Sequence, residues 1–139
     1  MTGYRLSKRS LSRLVGLHPA LAFAVIEAIG ITQVDFGVIE GVRTIERQRE
    51  LVAAGKSKTL DSYHLYGLAV DLVPYVGGRY VWDDDAAFAA VAGAMKQVIE
   101  AHGLKIDWGW DLWEWDKPHW QMTGMKTVYD VRRLREIAA

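Results

Sequence analysis

The most informative absences in this sequence are cysteine, net charge and long apolar runs. None of the 139 residues is cysteine, which excludes disulfides, a cysteine nucleophile and thiolate ligands for a metal ion. Lysine plus arginine and aspartate plus glutamate both number 17, so the formal net charge is zero. A neutral chain exerts no overall attraction on nucleic acid or anionic membrane, and we expect neither as a partner.

No apolar stretch of the sequence is long enough to cross a bilayer. The most apolar segment, residues 17–31, is too short and contains Pro19 and Glu27. Residues 1–17 carry four basic side chains and lack the apolar core of a signal peptide. We therefore expect a protein made in the cytoplasm without a signal peptide, and no membrane insertion.

Periodicity and turn signals predict one α+β domain over residues 1–139. Half of the residues are hydrophobic, enough for a single core at this length. Apolar spacing and caps predict helices over Ser7–Leu17, Leu21–Ile29, Ile45–Ala54, Ala86–His102 and Thr127–Ile137, the last within a short C-terminal helix at about 126–139. Strands are predicted at Val34–Ile39, Gly67–Val73, Ile106–Trp108 and His119–Met122, with a hairpin at Gly77-Gly78. The expected architecture is helices first, then a small antiparallel sheet flanked by helices.

An aspartate interrupts the most apolar of the predicted strands. Asp71 lies within Leu-Ala-Val-Asp-Leu-Val, where an unpaired buried carboxylate would be costly. A metal ion, an arginine or backbone amides could compensate, or the strand could expose this face to water. His64 lies seven residues upstream, and Gly67 between them permits a tight turn that would bring the imidazole beside the strand.

A second polar motif, Asp116-Lys117-Pro118-His119, follows later in the chain. Pro118 disfavours helix at the preceding residue, so the segment is extended or turned and its two polar side chains need not point apart. His64, Asp71 and His119 are a suitable ligand set for one Zn²⁺ ion with a fourth position left to water. Asp116 is close enough in sequence to the last ligand to act as a base on that water.

Tryptophan is concentrated around the second motif. Five of the six tryptophans lie within thirteen residues: Trp108, Trp110, Trp113, Trp115 and Trp120. Such rings are either core anchors or the wall of a substrate groove, and both interpretations stay open for Trp110 and Trp113. Trp120 follows a ligand directly, so we expect it to pack beneath the site.

These motifs together resemble the zinc D,D-peptidase-like family. That family includes D-Ala-D-Ala carboxypeptidases and dipeptidases and the L-alanyl-D-glutamate endopeptidases of phage endolysins. The resemblance extends from about Leu11 to Gln121 and is carried by Ser62-x-His64-x-x-Gly67-x-Ala69-x-Asp71, Asp116-x-Pro118-His119, Gly41–Gln48, Gly55–Ser57 and Leu14-x-Gly16-x-His18-Pro19-x-Leu21. The last of these is most similar to the short endolysin branch.

The resemblance implies a fold and a role for each matching residue. The fold would be a small α+β domain of the Hedgehog/D,D-peptidase-like type, with zinc on its central sheet. Matching positions imply zinc binding by His64, Asp71 and His119 and catalysis by Asp116 and Arg43. They also imply a substrate-binding position for Gln48, and for Ser62 support of the ligand loop or of the substrate. Arg43 would stabilise charge on the scissile carbonyl. Trp108-Gly109-Trp110 departs from many relatives, which affects the expected shape of the groove.

Three functions are consistent with this resemblance. The first is an endolysin-type peptidase, monomeric and zinc-dependent, that cleaves the L-alanyl-D-glutamate bond of peptidoglycan stem peptides after the membrane has been permeabilised. The second keeps the chemistry but acts as a D-Ala-D-Ala carboxypeptidase or dipeptidase. The third is a zinc-containing wall-binding domain without catalysis, which would not need Asp116.

Overall fold

Five α-helices and five strands are interspersed along the part of the chain that the structure describes. The structure is a computed structural model that describes residues 3–59 and 62–124. The helices are α1 (Lys8–Ser12), α2 (Pro19–Ile31), α3 (Ile45–Ala53), α4 (Asp85–His102) and α5 (Gly109–Trp113). The strands are β1 (Phe36–Glu40), β2 (Ala69–Val76), β3 (Arg79–Tyr80), β4 (Ile106–Trp108) and β5 (His119–Met122). The predicted C-terminal helix lies outside the described residues.

The strands form an antiparallel sheet in the order β1-β2-β5-β4, and β3 pairs with the end of β2. The predicted α+β class and antiparallel sheet are confirmed. The predicted order of helices before sheet is wrong, because β1 precedes α3 and α4 separates β3 from β4. The individual predicted elements already had this interleaved order, with strand Val34–Ile39 before helix Ile45–Ala54; what periodicity does not predict is which strands pair in the sheet.

Two helices differ from the sequence-based prediction. Helix α1 ends at Ser12, and a series of turns leads to Gly16, whose φ of 84° no helix can accommodate. Helix α5 was not predicted at all: it covers only five residues, too few for a helical repeat to be recognised. The residue that follows its last residue and caps it is Glu114, a non-glycine residue with a φ of 62°.

The caps of the longer helices follow the sequence signals. Thr44 Oγ1 accepts a hydrogen bond from the Arg47 amide at the start of α3. Asp84 caps α4 by accepting from the Ala87 amide, and Gly103 ends that helix in the left-handed conformation. Within residues 3–59 and 62–124, no helix combines the length and the apolar composition that a membrane crossing requires.

Helices α2 and α4 pack together and cover one face of the sheet with a single apolar core. Leu21 and Val25 of α2 and Met95 of α4 are completely buried in it. Strands β2 and β5 contribute Val70, Leu72, Trp120 and Met122, which alternate with Asp71, His119 and Gln121. Because successive side chains of a strand point to opposite faces, these three polar residues lie on the face turned away from the core.

The segment between α1 and α2 supports the loop that carries His64. The His18 amide donates a hydrogen bond to the Gly67 carbonyl over 2.8 Å. Gly67 has a φ of 71°, and a side chain there would overlap the Gly16 carbonyl. Because Gly67 has no side chain, the backbone around Gly16 and His18 can contact the backbone at the end of the His64 turn. This contact explains why the upstream Leu14–Leu21 motif accompanies the motif that contains His64.

Candidate metal centre

Three neighbouring strands place two acidic side chains and one imidazole in a single row across the sheet. Asp71 of β2 is paired in register with His119 of β5 on one side and with Glu40 of β1 on the other. Ile39 forms a bulge in β1 immediately before that row. Bulges re-aim side chains next to functional sites, and this one places Glu40 opposite Asp71.

The three predicted ligands lie together. Asp71 Oδ1 is 3.3 Å from His64 Nε2 and 3.4 Å from His119 Nδ1. One ligand atom from each of the three residues lies within 4.8 Å of the others. Ligand atoms about 2.0–2.1 Å from a tetrahedral ion are separated from one another by about 3.3–3.4 Å. The spacing around Asp71 therefore fits a single metal ion, and His64, Asp71 and His119 are placed to hold one.

His64 is held in one orientation by the backbone around it. It lies in the 3-10 turn Tyr63–Tyr66. Ser62 caps this turn, because its Oγ accepts a hydrogen bond from the His64 amide over 3.2 Å. Its Nδ1 is 2.9 Å from the Gly41 carbonyl oxygen. A carbonyl only accepts, so Nδ1 carries a proton and Nε2, beside Asp71, is the nitrogen that can bind a metal.

His119 is oriented by a residue that the sequence reasoning missed. Its Nε2 lies 2.9 Å from Gln121 Oε1, so Nε2–H donates to the amide oxygen and Nδ1 is left to bind a metal. The two imidazoles thus use opposite nitrogens. The signal was present in the sequence, because residues two apart on a strand share a face and Gln121 follows His119 by two.

The charges of the three ligands are coupled. Burial by itself would raise the pKa of Asp71, but the neighbouring His64 charge and hydrogen bonds from both imidazoles hold this pKa well below its ordinary range. Burial is the largest single influence on His119 and opposes its charged form, but the hydrogen bond to Asp71, the charge of Asp71 and the hydrogen bond to Gln121 together outweigh it and raise the pKa of His119. A buried carboxylate that stays ionised between two imidazoles is a suitable cation ligand.

Asp116 lies beside the ligands in a half-buried position. Burial raises the pKa of its carboxyl group above the ordinary value, while the charge of His119 opposes the shift. Two hydrogen bonds hold the backbone that follows Asp116. Trp108 Nε1 donates to the Lys117 carbonyl over 2.6 Å, and the Leu72 amide donates to the Pro118 carbonyl over 2.8 Å. Asp116 therefore approaches the site on a restrained backbone.

Gly109 allows that approach. A Cβ atom at this position would lie 3.0 Å from His119 Cβ and 3.1 Å from Asp116 Cβ, and closer still to the Asp116 carbonyl oxygen. Carbon atoms normally keep about 3.5–4.0 Å apart. The segment Trp108-Gly109-Trp110, which differs from many relatives, therefore still has glycine where the start of α5 contacts both His119 and Asp116.

Arg43 and Gln48 form one polar network next to the site. Arg43 donates two hydrogen bonds to Glu40, Nε to Oε1 over 2.7 Å and Nη2 to Oε2 over 2.9 Å, and a third from Nη1 to Gln48 Oε1 over 2.7 Å. Gln48 is 0% exposed, and its amide nitrogen donates to Ser57 and Thr59. The Gln48 side chain is therefore buried, with its amide hydrogen-bonded to Arg43, Ser57 and Thr59, and its role toward the substrate stays a prediction.

The tryptophans divide between core and surface. Trp120 is 1% exposed and stacks on Trp108 with ring centroids 5.6 Å apart, as expected for packing beneath the ligand. Trp110 and Trp113 are 37% and 45% exposed, so neither is a core anchor. Trp113 also lies against the ligand His119, with ring centroids 5.5 Å apart.

This fold and this site define a class of protein, and comparison with known proteins agrees with it. A two-histidine, one-aspartate centre on a small antiparallel sheet is the arrangement implied by the zinc D,D-peptidase-like resemblance. The family model described as phage L-alanyl-D-glutamate peptidase matches residues 2–132. The chain belongs to this family, so the family resemblance seen in the sequence is confirmed.

Individual relatives support the assignment. The chain is 32% identical to an L-alanyl-D-glutamate peptidase of Escherichia phage T5, over 78% of this chain and 81% of that protein. It is also 32% identical to the L-alanyl-D-glutamate peptidase of Listeria phage A118, over 87% of this chain but only 43% of that protein. The crystal structure of the Serratia marcescens L-Ala D-Glu endopeptidase ChiX superposes with a TM-score of 0.79 at 37% identity, covering 87% of this chain and 92% of ChiX.

Proposed function

We propose that this protein is a zinc-dependent endopeptidase that hydrolyses the L-alanyl-D-glutamate bond of peptidoglycan stem peptides. The observation that carries the proposal is the cluster of His64, Asp71 and His119, with Asp116 beside it, in a chain of this family. The phage T5 relative and ChiX are both named for cleavage of this same bond. Zinc is proposed because the donor set is two imidazoles and one carboxylate without thiolates.

The ligand residues fit zinc chemistry. A zinc ion bound by these three side chains would polarise a carbonyl group and lower the pKa of bound water to about 7. Asp116 would take the proton from the attacking water and deliver it to the leaving amine of D-glutamate. Its burial supports this role, since a raised pKa brings the carboxyl group closer to the range in which it can both accept and donate.

Arg43 is proposed to stabilise the negative charge that develops on the scissile carbonyl. Three of its five N–H groups are committed to Glu40 and Gln48, which fixes the plane of the guanidinium. A preorganised donor of this kind typically contributes on the order of 3 kcal/mol at the transition state. In this scheme Gln48 acts by positioning Arg43, and Ser62 by positioning His64, instead of touching the substrate directly.

The site of action follows from the substrate. We propose that the protein acts as a monomer on the cell wall, after the membrane has been permeabilised, as an endolysin does. Neither nucleic acid nor a membrane is part of the scheme. The neutral net charge agrees with both exclusions.

The alternative of a D-Ala-D-Ala carboxypeptidase uses the same metal and the same base, so geometry alone does not separate the two. The relatives from phages T5 and A118 and the ChiX enzyme are named for the L-alanyl-D-glutamate bond, which favours the first proposal. A wall-binding domain without catalysis is less consistent with a half-buried carboxylate beside the three ligands.

One digestion experiment separates the three functions. Purified peptidoglycan is incubated with the zinc-loaded protein, with and without a chelator, and new termini are identified by mass spectrometry. New D-glutamate amino termini that disappear with chelator support the proposal. Released D-alanine would establish the carboxypeptidase, and no chelator-sensitive product at all would refute catalysis.

A further inference from the structure

The two sides of the metal centre differ in chemistry. Strands β2 and β5 carry Asp71 and His119 in the middle of the sheet, with β1 on one side and β4 on the other. The residues that follow β1 include Arg43, which with Glu40 makes a charged flank. The residues that follow β4 are α5 and the segment just after it, and their Trp113 and Trp115 make an aromatic flank. Neighbouring strands are about 4.8 Å apart, so a bound peptide can touch both flanks.

The aromatic flank extends outward from the metal ligand as a continuous series of rings. Trp113 contacts His119 with centroids 5.5 Å apart, and Trp115 lies 6.2 Å beyond Trp113. Exposure rises along this series, from 8% for His119 to 45% for Trp113 and 68% for Trp115. Rings this exposed add little to the core, and adjacent exposed aromatic groups typically mark a binding surface.

The chemistry of the proposed substrate says what lies next to the bond that is cut. L-alanine is the first residue of the stem peptide, and its nitrogen is acylated by the lactyl group of N-acetylmuramic acid. One residue spans at most about 3.6 Å, so the pyranose ring begins within about 10 Å of the scissile carbonyl. On the opposite side of that bond is D-glutamate, which carries a carboxylate. The substrate thus has a sugar on one side and an anion on the other.

We propose that Trp113 and Trp115 form a saccharide subsite that binds the N-acetylmuramic acid carrying the stem peptide. This inference rests on the proposed function and deepens it. The apolar C–H face of a pyranose packs against the electron-rich face of an indole ring. The aromatic flank therefore suits the sugar side of the bond, which leaves D-glutamate toward the flank that carries Arg43 and Glu40. The protein would then recognise the N-acetylmuramic acid to which the stem peptide is attached as well as the peptide itself.

The test compares two substrates that differ only in the sugar. One is the disaccharide N-acetylglucosaminyl-N-acetylmuramic acid bearing the stem peptide, and the other is the same peptide with an acetylated amino terminus. Wild-type protein should cleave the first with the higher kcat/KM. Trp115→Ala should lower the ratio of the two kcat/KM values by about three- to tenfold, the range expected for one lost aromatic stack. Trp115→Phe should restore most of the ratio.

A matched control and a binding measurement complete the test. Trp82 is also exposed, at 56%, but lies in the connection between β3 and α4, so Trp82→Ala should leave the ratio unchanged. The peptide-free disaccharide should shift the indole N–H resonances of Trp113 and Trp115 in the protein spectrum.

The outcomes distinguish this proposal from the proposed function. Cleavage of both substrates at equal kcat/KM, or a ratio that Trp115→Ala does not change, would overturn the saccharide subsite and leave the endopeptidase intact. Cleavage of neither substrate by the zinc-loaded wild type would overturn the endopeptidase itself.

Discussion

A single methyl group at Gly109 should disturb the site more than its size suggests. The new Cβ would lie 3.0 Å from His119 Cβ and 3.1 Å from Asp116 Cβ, about 0.5–1 Å less than carbon atoms normally keep. The Asp116 carbonyl oxygen is nearer still and belongs to the backbone, so no side-chain rotation can relieve the contact. In Gly109→Ala, either α5 or the segment carrying both functional side chains must move.

The size of the effect follows from that displacement. Overpacking of this kind typically costs about 1–3 kcal/mol of folding free energy. A misplacement of about 1 Å in a catalytic group can lower the rate on the order of 100-fold. We therefore expect Gly109→Ala to remain folded, to bind zinc more weakly because His119 shifts, and to lose about 100-fold in kcat on the stem-peptide substrate.

Gly93 provides the matched control for this prediction. It is exposed in helix α4, and a Cβ added there would meet no atom within 4 Å. Gly93→Ala should keep wild-type kcat and raise the free energy of unfolding by about 0.5–1 kcal/mol, because alanine favours helix over glycine. Unfolding curves and steady-state kinetics measure both variants. Wild-type kcat and zinc affinity in Gly109→Ala would refute the steric argument.

Four further predictions concern the charged and hydrogen-bonded groups of the site. Asp116→Ala should keep zinc, measured by equilibrium dialysis, yet lose about 10²–10⁴-fold in kcat; loss of zinc would make Asp116 a ligand instead of a base. Gln121→Leu should weaken zinc binding about 10–100-fold in a chelator competition, because Nε2 of His119 loses its acceptor; unchanged affinity would show that Gln121 does not orient the ring. Arg43→Lys should lower kcat/KM because an ammonium cannot make the two-pronged contact with Glu40, and a wild-type value would remove Arg43 from the mechanism. Zinc affinity should fall by about tenfold for each pH unit below the raised pKa of His119, since the metal must then displace a proton from Nδ1; a pH-independent affinity would contradict this ligand assignment.

The pH dependence of the metal-free protein has a defined sign. The pKa of His119 is raised on folding, so its contribution to stability is present below the unfolded value and is lost as the pH rises through the folded value. Asp71 behaves in the opposite way: its pKa is lowered, so its contribution is present above the unfolded value and is lost as the pH falls. Bound zinc would remove the first dependence, because a metal-bound imidazole carries no proton on the ligating nitrogen.

The three residues placed to hold a metal ion were predictable from the sequence because their signals are local and chemical. Asp71 is conspicuous as the one charged residue in an apolar strand, and Gly67 and Pro118 limit the backbone near His64 and His119. The longer helices were predictable for a similar reason. Thr44 and Asp84 are caps whose function depends on amides only three residues away.

The tertiary structure decided everything that depends on distant segments meeting. Gln48 matches the family pattern, but only the fold shows its amide buried between Arg43 and Ser57. Gln121 attracts no notice until β5 is paired with β2 and its oxygen reaches His119.

The division between sequence and structure has a physical reason. A residue's chemical type, and its relation to neighbours a few positions away, are properties of the chain itself, so they specify which side chains can bind a cation. Strand order, the bulge at Ile39 and the contact of Gly109 with Asp116 depend on packing between segments far apart in sequence. These long-range contacts determine where the cation-binding side chains lie relative to one another in the folded protein.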